Sequence, residues 1–166
     1  TYTWTVANNG NVTGETSQST AQSSISQTIT NTTTSVQNVT YTVTPVVAGC
    51  PAGPTFQVVV TVNPQPTVAD PADQSRCNGT TTAAVNFTGN AVSGVVYNWT
   101  NNNPSIGLAA SGTGNIPAFT AINTGSTNQV ATITVTPVAN GCPGPQQTFT
   151  ITVNPTPTVS ILADYC

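Results

Sequence analysis

The sequence predicts an all-β chain of tandem two-sheet sandwiches, and three observations carry that prediction. Hydrophobicity alternates with a period of two, clusters of turn residues interrupt the alternation, and whole phrases recur after roughly ninety residues.

The alternation is clearest in Ala131-Thr132-Ile133-Thr134-Val135-Thr136 and in Thr148-Phe149-Thr150-Ile151-Thr152-Val153. Apolar side chains face one way and threonines the other, as half-buried antiparallel strands require. Between these runs lies Pro137-Val138-Ala139-Asn140-Gly141-Cys142-Pro143-Gly144-Pro145, dense in turn formers, so the pair reads as a long hairpin. The same hairpin recurs at residues 41–47 and 55–62, and further strands are expected at 83–89, 95–100 and 116–123. No segment holds a 3.6-residue period with caps. Several short strands per unit favour a sandwich of immunoglobulin-like type.

The repeats fix the units. Tyr97-Asn98-Trp99-Thr100, Thr134-Val135-Thr136-Pro137-Val138, Gly141-Cys142-Pro143, Phe149 and Val153-Asn154-Pro155 answer an earlier series. That series is Tyr2-Thr3-Trp4-Thr5, Thr42-Val43-Thr44-Pro45-Val46, Gly49-Cys50-Pro51, Phe56 and Val62-Asn63-Pro64. The spacing runs from 95 residues at the tryptophans to 91 at the Asn-Pro pairs. Each unit closes on alternating prolines, at Pro64 and Pro66 and again at Pro155 and Pro157. Proline cannot donate to a ladder and favours extended geometry, so these stretches read as short, semi-rigid links. The expected organisation is the later part of one repeat at 1–66, a complete repeat at 67–157 and the start of another at 158–166. On this register the chain is a piece of a longer, head-to-tail array.

Composition excludes whole classes of function. Only 3% of residues are charged, namely Arg76, Glu15, Asp70, Asp73 and Asp164, against roughly a quarter in ordinary domains. With one cation, the chain lacks the means to neutralise phosphates, so neither nucleic acid nor an anionic membrane surface is an expected partner. Its apolar runs are far shorter than the roughly 20 residues of a membrane helix, so no membrane insertion is expected. There is no histidine, the usual general base and commonest metal ligand, and no lysine to activate a hydroxyl nucleophile. No pair of opposed carboxylates can be nominated, and an enzyme is not expected.

The remaining candidates are few. Cys77 and Cys166 stand at unit entries, Cys50 and Cys142 in hairpin turns. In a sandwich the first strand starts at the end where the last hairpin turns, so Cys77 is expected to pair with Cys142. Cys50 and Cys166 then have partners outside the chain. The competing scheme, Cys50 with Cys77 and Cys142 with Cys166, spans too great a length in a rod. Disulfides imply an oxidising, extracellular setting. Trp4 and Trp99 lie on apolar-alternating strands and read as core aromatics rather than sugar platforms. Asp70 and Asp73, near a unit junction, are weak candidates for Ca²⁺, which wants six to eight oxygens. They read first as solvated linker residues, and no cofactor is expected. The threonine rows at 132, 134, 136 and 148, 150, 152 suggest a hydroxyl array, yet β-branched strand preference and solubility without charge account for them.

The run Asn101-Asn102-Asn103-Pro104-Ser105-Ile106-Gly107-Leu108-Ala109-Ala110-Ser111 follows the Tyr-x-Trp-Thr strand. With Gly112 to Phe119, Ala131 to Val135, Gly141-Cys142 and Thr148 to Pro157, it resembles the PKD-like, immunoglobulin-like repeats of giant Bacteroidota surface proteins. SprB-type gliding-motility adhesins and similar type 9 secretion substrates are the model for that resemblance. It implies export across the outer membrane and display on the cell surface. It also implies partners: the type 9 translocon, the gliding machinery, and an external surface or polysaccharide. The expected function is a stalk or multivalent adhesive surface in attachment and gliding. A carbohydrate-binding array of a secreted polysaccharide-acting protein is the alternative. Residues 8–27 lack the Asn-Pro-Ser-Ile-Gly-Leu phrase, so this surface varies between repeats and leans toward a stalk.

Overall fold

A computed structural model describes residues 1–158. The chain is all-β, with a single 3₁₀ turn at Pro104–Ile106 and no α-helix among the described residues. No helix there is long and apolar enough to cross a membrane. The strands are β1 (Tyr2–Val6), β2 (Val12–Thr13), β3 (Gln18–Gln22), β4 (Thr30–Asn31), β5 (Gln37–Pro45) and β6 (Phe56–Val62). They continue with β7 (Gln74–Cys77), β8 (Val96–Asn101), β9 (Ser111–Thr113), β10 (Gln129–Ala139), β11 (Cys142–Pro143) and β12 (Gln147–Asn154).

Two compact units divide these elements. The first takes in Thr1–Pro66 with two short segments, Ala91–Gly94 and Ala139–Cys142; the second holds the rest. In the first, one sheet has the order β3-β1-β5-β6, and β2 pairs with β4 in a small ribbon. The larger sheet has the order β7-β12-β10-β8-β9, with β11 on β10. Its second layer is looser. Between residues 83–89 and 116–123 there is one isolated bridge, Val85 with Ile116, and a second joins Thr81 to Thr120, in place of the continuous strands expected. The expected hairpins form, and both are longer than the alternation alone suggests. β10 continues to Ala139, through Pro137, because β11 folds back on it.

The apolar faces meet as anticipated. Ala131, Ile133 and Val135 of β10 and Ile151 and Val153 of β12 are fully buried, together with Ile106, Ile116, Phe149 and Trp99. Threonines 132, 134, 150 and 152 between them are only half-buried, and Thr148 is exposed. Every member of this core falls between Val68 and Val153, so residues 67–157 carry a complete hydrophobic interior of their own. Trp4 packs with Val12, Val39, Tyr41 and Val43 in a smaller core.

β7 is the element the sequence hid. No alternation marks its stretch, yet Gln74 to Cys77 lie parallel to β12 in the register Gln74 with Ile151 through Cys77 with Asn154. The Asp73 carboxylate anchors this edge, Oδ1 accepting from the Thr150 N–H at 2.6 Å.

That register corrects the expected disulfide. Cys77 ends β7 rather than starting the first strand, so it lies beside the last residue of β12. Cys142 sits beyond the opposite end, past the Val135–Gln147 pair. Seven residue steps along β12 span about 23 Å, against the 4.4–6.8 Å between Cα atoms that a disulfide allows. Cys77 and Cys142 are free thiols, as is the exposed Cys50. Cys166 lies outside the described residues.

Candidate functional site

Both units repeat the same two polar clamps, and these are the most specific side-chain constellations in the chain. In the second unit the buried Asn123 donates through Nδ2 to the carbonyls of Thr127 (2.8 Å) and Val153 (2.7 Å). Its Oδ1 accepts from the Gly125 N–H at 2.9 Å. In the first, Asn31 Nδ2 donates to the carbonyls of Ser35 (2.7 Å) and Val62 (2.9 Å), and Oδ1 accepts from the Thr33 N–H at 2.8 Å. One side chain therefore closes the turn before the long strand and ties it to the last strand, one residue before the Asn-Pro link. The second clamp is Asn103, whose Nδ2 reaches Gln129 Oε1 (3.2 Å) and the Val130 carbonyl (3.1 Å). Asn9 makes the same pair of contacts to Gln37 Oε1 (3.4 Å) and the Asn38 carbonyl (3.2 Å).

A third buried amide, Asn101, has its Nδ2 on the carbonyls of Leu108 and Ala109 and its Oδ1 on the Asn103 N–H. It shapes the loop carrying the Asn-Pro-Ser-Ile-Gly-Leu phrase. In these three places the amide replaces backbone partners that a ladder would otherwise supply. Sequence reasoning missed them because asparagine is abundant here and reads as surface. The signal was present in the repeat register, which aligns Asn31 with Asn123.

The two tryptophans are core residues in different settings. Trp4 Nε1 donates to the Thr16 carbonyl at 2.9 Å. Trp99 Nε1 is buried without an acceptor among the described residues. Gly112, opposite Trp99 in the β8–β9 ladder, leaves room for the ring.

An open apolar pocket lies in the first unit, lined by Tyr2, Ile25, Val43, Phe56 and Val58 with Ser23 and Ser24. Strand register explains it. Val43 pairs with Phe56 as Val135 pairs with Gln147, so Val58, not Phe56, occupies the place of Phe149. In the second unit Phe87 fills the corresponding space, its ring 5.6 Å from Tyr97 and 6.4 Å from Phe149. Among the described residues of the first unit nothing supplies that aromatic. Phe56 and Val58 are accordingly 47% and 37% exposed where Phe149 is 2%. The pocket is an unfilled core position with no polar group poised for chemistry.

Asp70 is exposed and Asp73 is engaged with β12. No three His, Cys, Asp or Glu residues converge among the described residues. The outer faces carry the threonine rows, with Thr100, Thr134 and Thr148 side by side across three strands. Thr5 and Thr42 stand next to each other in the first unit in the same way.

A family model for the PKD-like domain matches residues 1–66 and 73–157, nearly the whole chain and one match per repeat. The chain belongs to the PKD-like domain family. PKD-like domains are typically extracellular or surface-exposed, non-catalytic modules. No curated protein matches the sequence. Among solved structures, mouse cadherin-23 EC22-24 is similar at 15% identity and a TM-score of 0.35. The match covers 93% of this PKD-like chain and 54% of the cadherin chain, so this chain spans about half the length of the structure it matches.

Proposed function

We propose that this chain is a repeat segment of a long cell-surface adhesin, each sandwich acting as a spacer within the filament. One observation carries the reading. The structural amides Asn31 and Asn123, with Asn9 and Asn103, recur with the same partners in both units, while the exposed segment after the tryptophan strand differs between them. Spacer modules keep what sets strand pairing and exit geometry and let their loops drift. A ligand site repeated in every module would hold its loops alike.

The finer assignment rests on the resemblance in residues 101–119. On that reading the protein is exported by the type 9 translocon, displayed on the cell surface and driven by the gliding machinery against an external surface or polysaccharide. The threonine rows favour a second reading, a carbohydrate-binding array in which weak contacts on successive modules add up. A purified chain coupled to beads separates the two. The spacer reading expects no retention on agar, chitin or glass and no signal on a glycan array. Saturable binding lost on Thr134→Ala and Thr148→Ala would overturn it in favour of the binding array.

A further inference from the structure

The outer edge of β6 and the apolar pocket beside it are two parts of one place in the fold, and in the second unit the same place is covered. There β12 carries β7 along its edge in parallel, from Gln74 beside Ile151 to Cys77 beside Asn154. Phe87, from the same stretch of chain, packs against both Tyr97 and Phe149. In the first unit the register puts Val60 to Asn63 where Ile151 to Asn154 stand, Tyr2 in the place of Tyr97 and Val58 in that of Phe149. Tyr2 and Val58 both line the pocket, so it is the seat of a Phe87-type ring. Among the described residues β6 pairs with β5 alone, and its other edge carries no strand.

Burial follows the same division. Val60 and Val62 are half-buried where Ile151 and Val153 are fully buried, and Val59, at the place of Thr150, is 57% exposed. In the second unit the Thr150 N–H is taken up by the Asp73 carboxylate. Val59 presents the equivalent N–H, and alternation along the strand puts that of Thr61 on the same edge. A row of unpaired backbone groups beside an apolar pocket is what strand addition requires: main-chain bonds give affinity and the pocket gives selectivity.

We propose that β6 and the pocket form a strand-acceptor site, which takes in trans the opening segment of another PKD-like repeat. That segment has the chemistry of residues 73–87: a carboxylate for the Val59 N–H, four extended residues parallel to β6, and a phenylalanine seated against Tyr2 and Val58. In the second unit Gln74 holds the corresponding segment in shape, its side-chain amide donating to the Ala83 carbonyl at 3.1 Å and accepting from the Ala83 N–H at 3.0 Å. The chain's own copy is not the occupant, because Val68, Val85 and Phe87 are buried in the core of the second unit. Occupancy completes the first sandwich with a strand from another polypeptide, so the two chains share one core. The inference rests on the family assignment and not on adhesion.

The probe is a labelled peptide of residues 67–90, added under reductant to the full chain. Saturable one-to-one binding is expected by fluorescence anisotropy, with hydrogen exchange slowed at Val59 and Thr61 and unchanged along β12. Phe87→Ala in the peptide should weaken binding about a hundredfold, as the loss of a buried ring does. Val59→Pro in the chain removes an N–H that faces the free edge, where a strand tolerates proline, and should abolish binding with circular dichroism unchanged. If that variant does not fold, Tyr2→Ala, at the rim of the pocket, should weaken binding as Phe87→Ala does. No saturable binding, equal binding of the Phe87→Ala peptide, or slowed exchange on β12 in place of β6 would overturn the acceptor site. Chains that dimerise without peptide by lending their own residues 67–90 would overturn the choice of another repeat as donor. No adhesion is measured, so the adhesin reading can fail while this result stands.

Discussion

Gly112 lies against the Trp99 indole so closely that a Cβ there would stand 2.2 Å from Cζ2. β8, which carries Trp99, is held on its other side by β10. Gly112→Ala should therefore cost about 2–3 kcal/mol by overpacking, read from urea unfolding. Trp99→Phe should relieve most of that cost in the double variant. It also removes an N–H that has no acceptor, so the single change costs less than the lost volume suggests.

Asn123→Ala strips two backbone carbonyls and one N–H of their partner inside the second sandwich. A loss of roughly 2–3 kcal/mol is expected, measured by chemical denaturation. Asn123→Asp should fare no better, since a carboxylate cannot donate to the Thr127 and Val153 carbonyls. A neutral result for either change would remove the clamp from the account of stability.

Phe149 and Val58 occupy equivalent strand positions with unequal burial. Phe149→Ala should destabilise by about 3–5 kcal/mol. Val58→Ala, on the open pocket, should cost less than about 1 kcal/mol. Equal effects of the two on thermal midpoints would mean that the pocket is filled in solution.

Burial and then the nearby Glu15 carboxylate push the Tyr41 phenol above the ordinary tyrosine range. The folded state thus prefers the neutral phenol, whose hydroxyl donates to Gln27 Oε1 at 2.8 Å. Its contribution to stability is complete below the ordinary tyrosine pKa and is lost as pH rises through the higher folded value. Thermal scans in alkaline buffer should show the first unit weakening there, and Tyr41→Phe should flatten that dependence.

With its described cysteines unpaired, the chain alone should melt at the same temperature with or without reductant. A fall on reduction would show a disulfide within the chain, in a pairing other than Cys77 with Cys142 on this strand register.

The hairpin strands, their inward and outward faces and the repeat itself were legible from local pattern. A period of two with β-branched residues leaves few alternatives, and Trp4, Trp99, Ile133 and Ile151 fell into cores as their spacing required. β7 escaped because Gln-Ser-Arg-Cys has no alternation, and it becomes a strand only through the edge that β12 offers. The clamps escaped because a buried asparagine and a surface one are the same letter. What separates them is whether carbonyls of a distant strand come within reach.

The sequence by itself determined that the chain is a repeated all-β module, poor in charge and without histidine or lysine. Tertiary structure alone decided which end of the module each cysteine occupies. Strand direction across a non-local pairing is set by the parallel register of Gln74–Cys77 on β12, and no local pattern encodes it. That one register turns Cys77 and Cys142 from an expected pair into thiols at opposite ends.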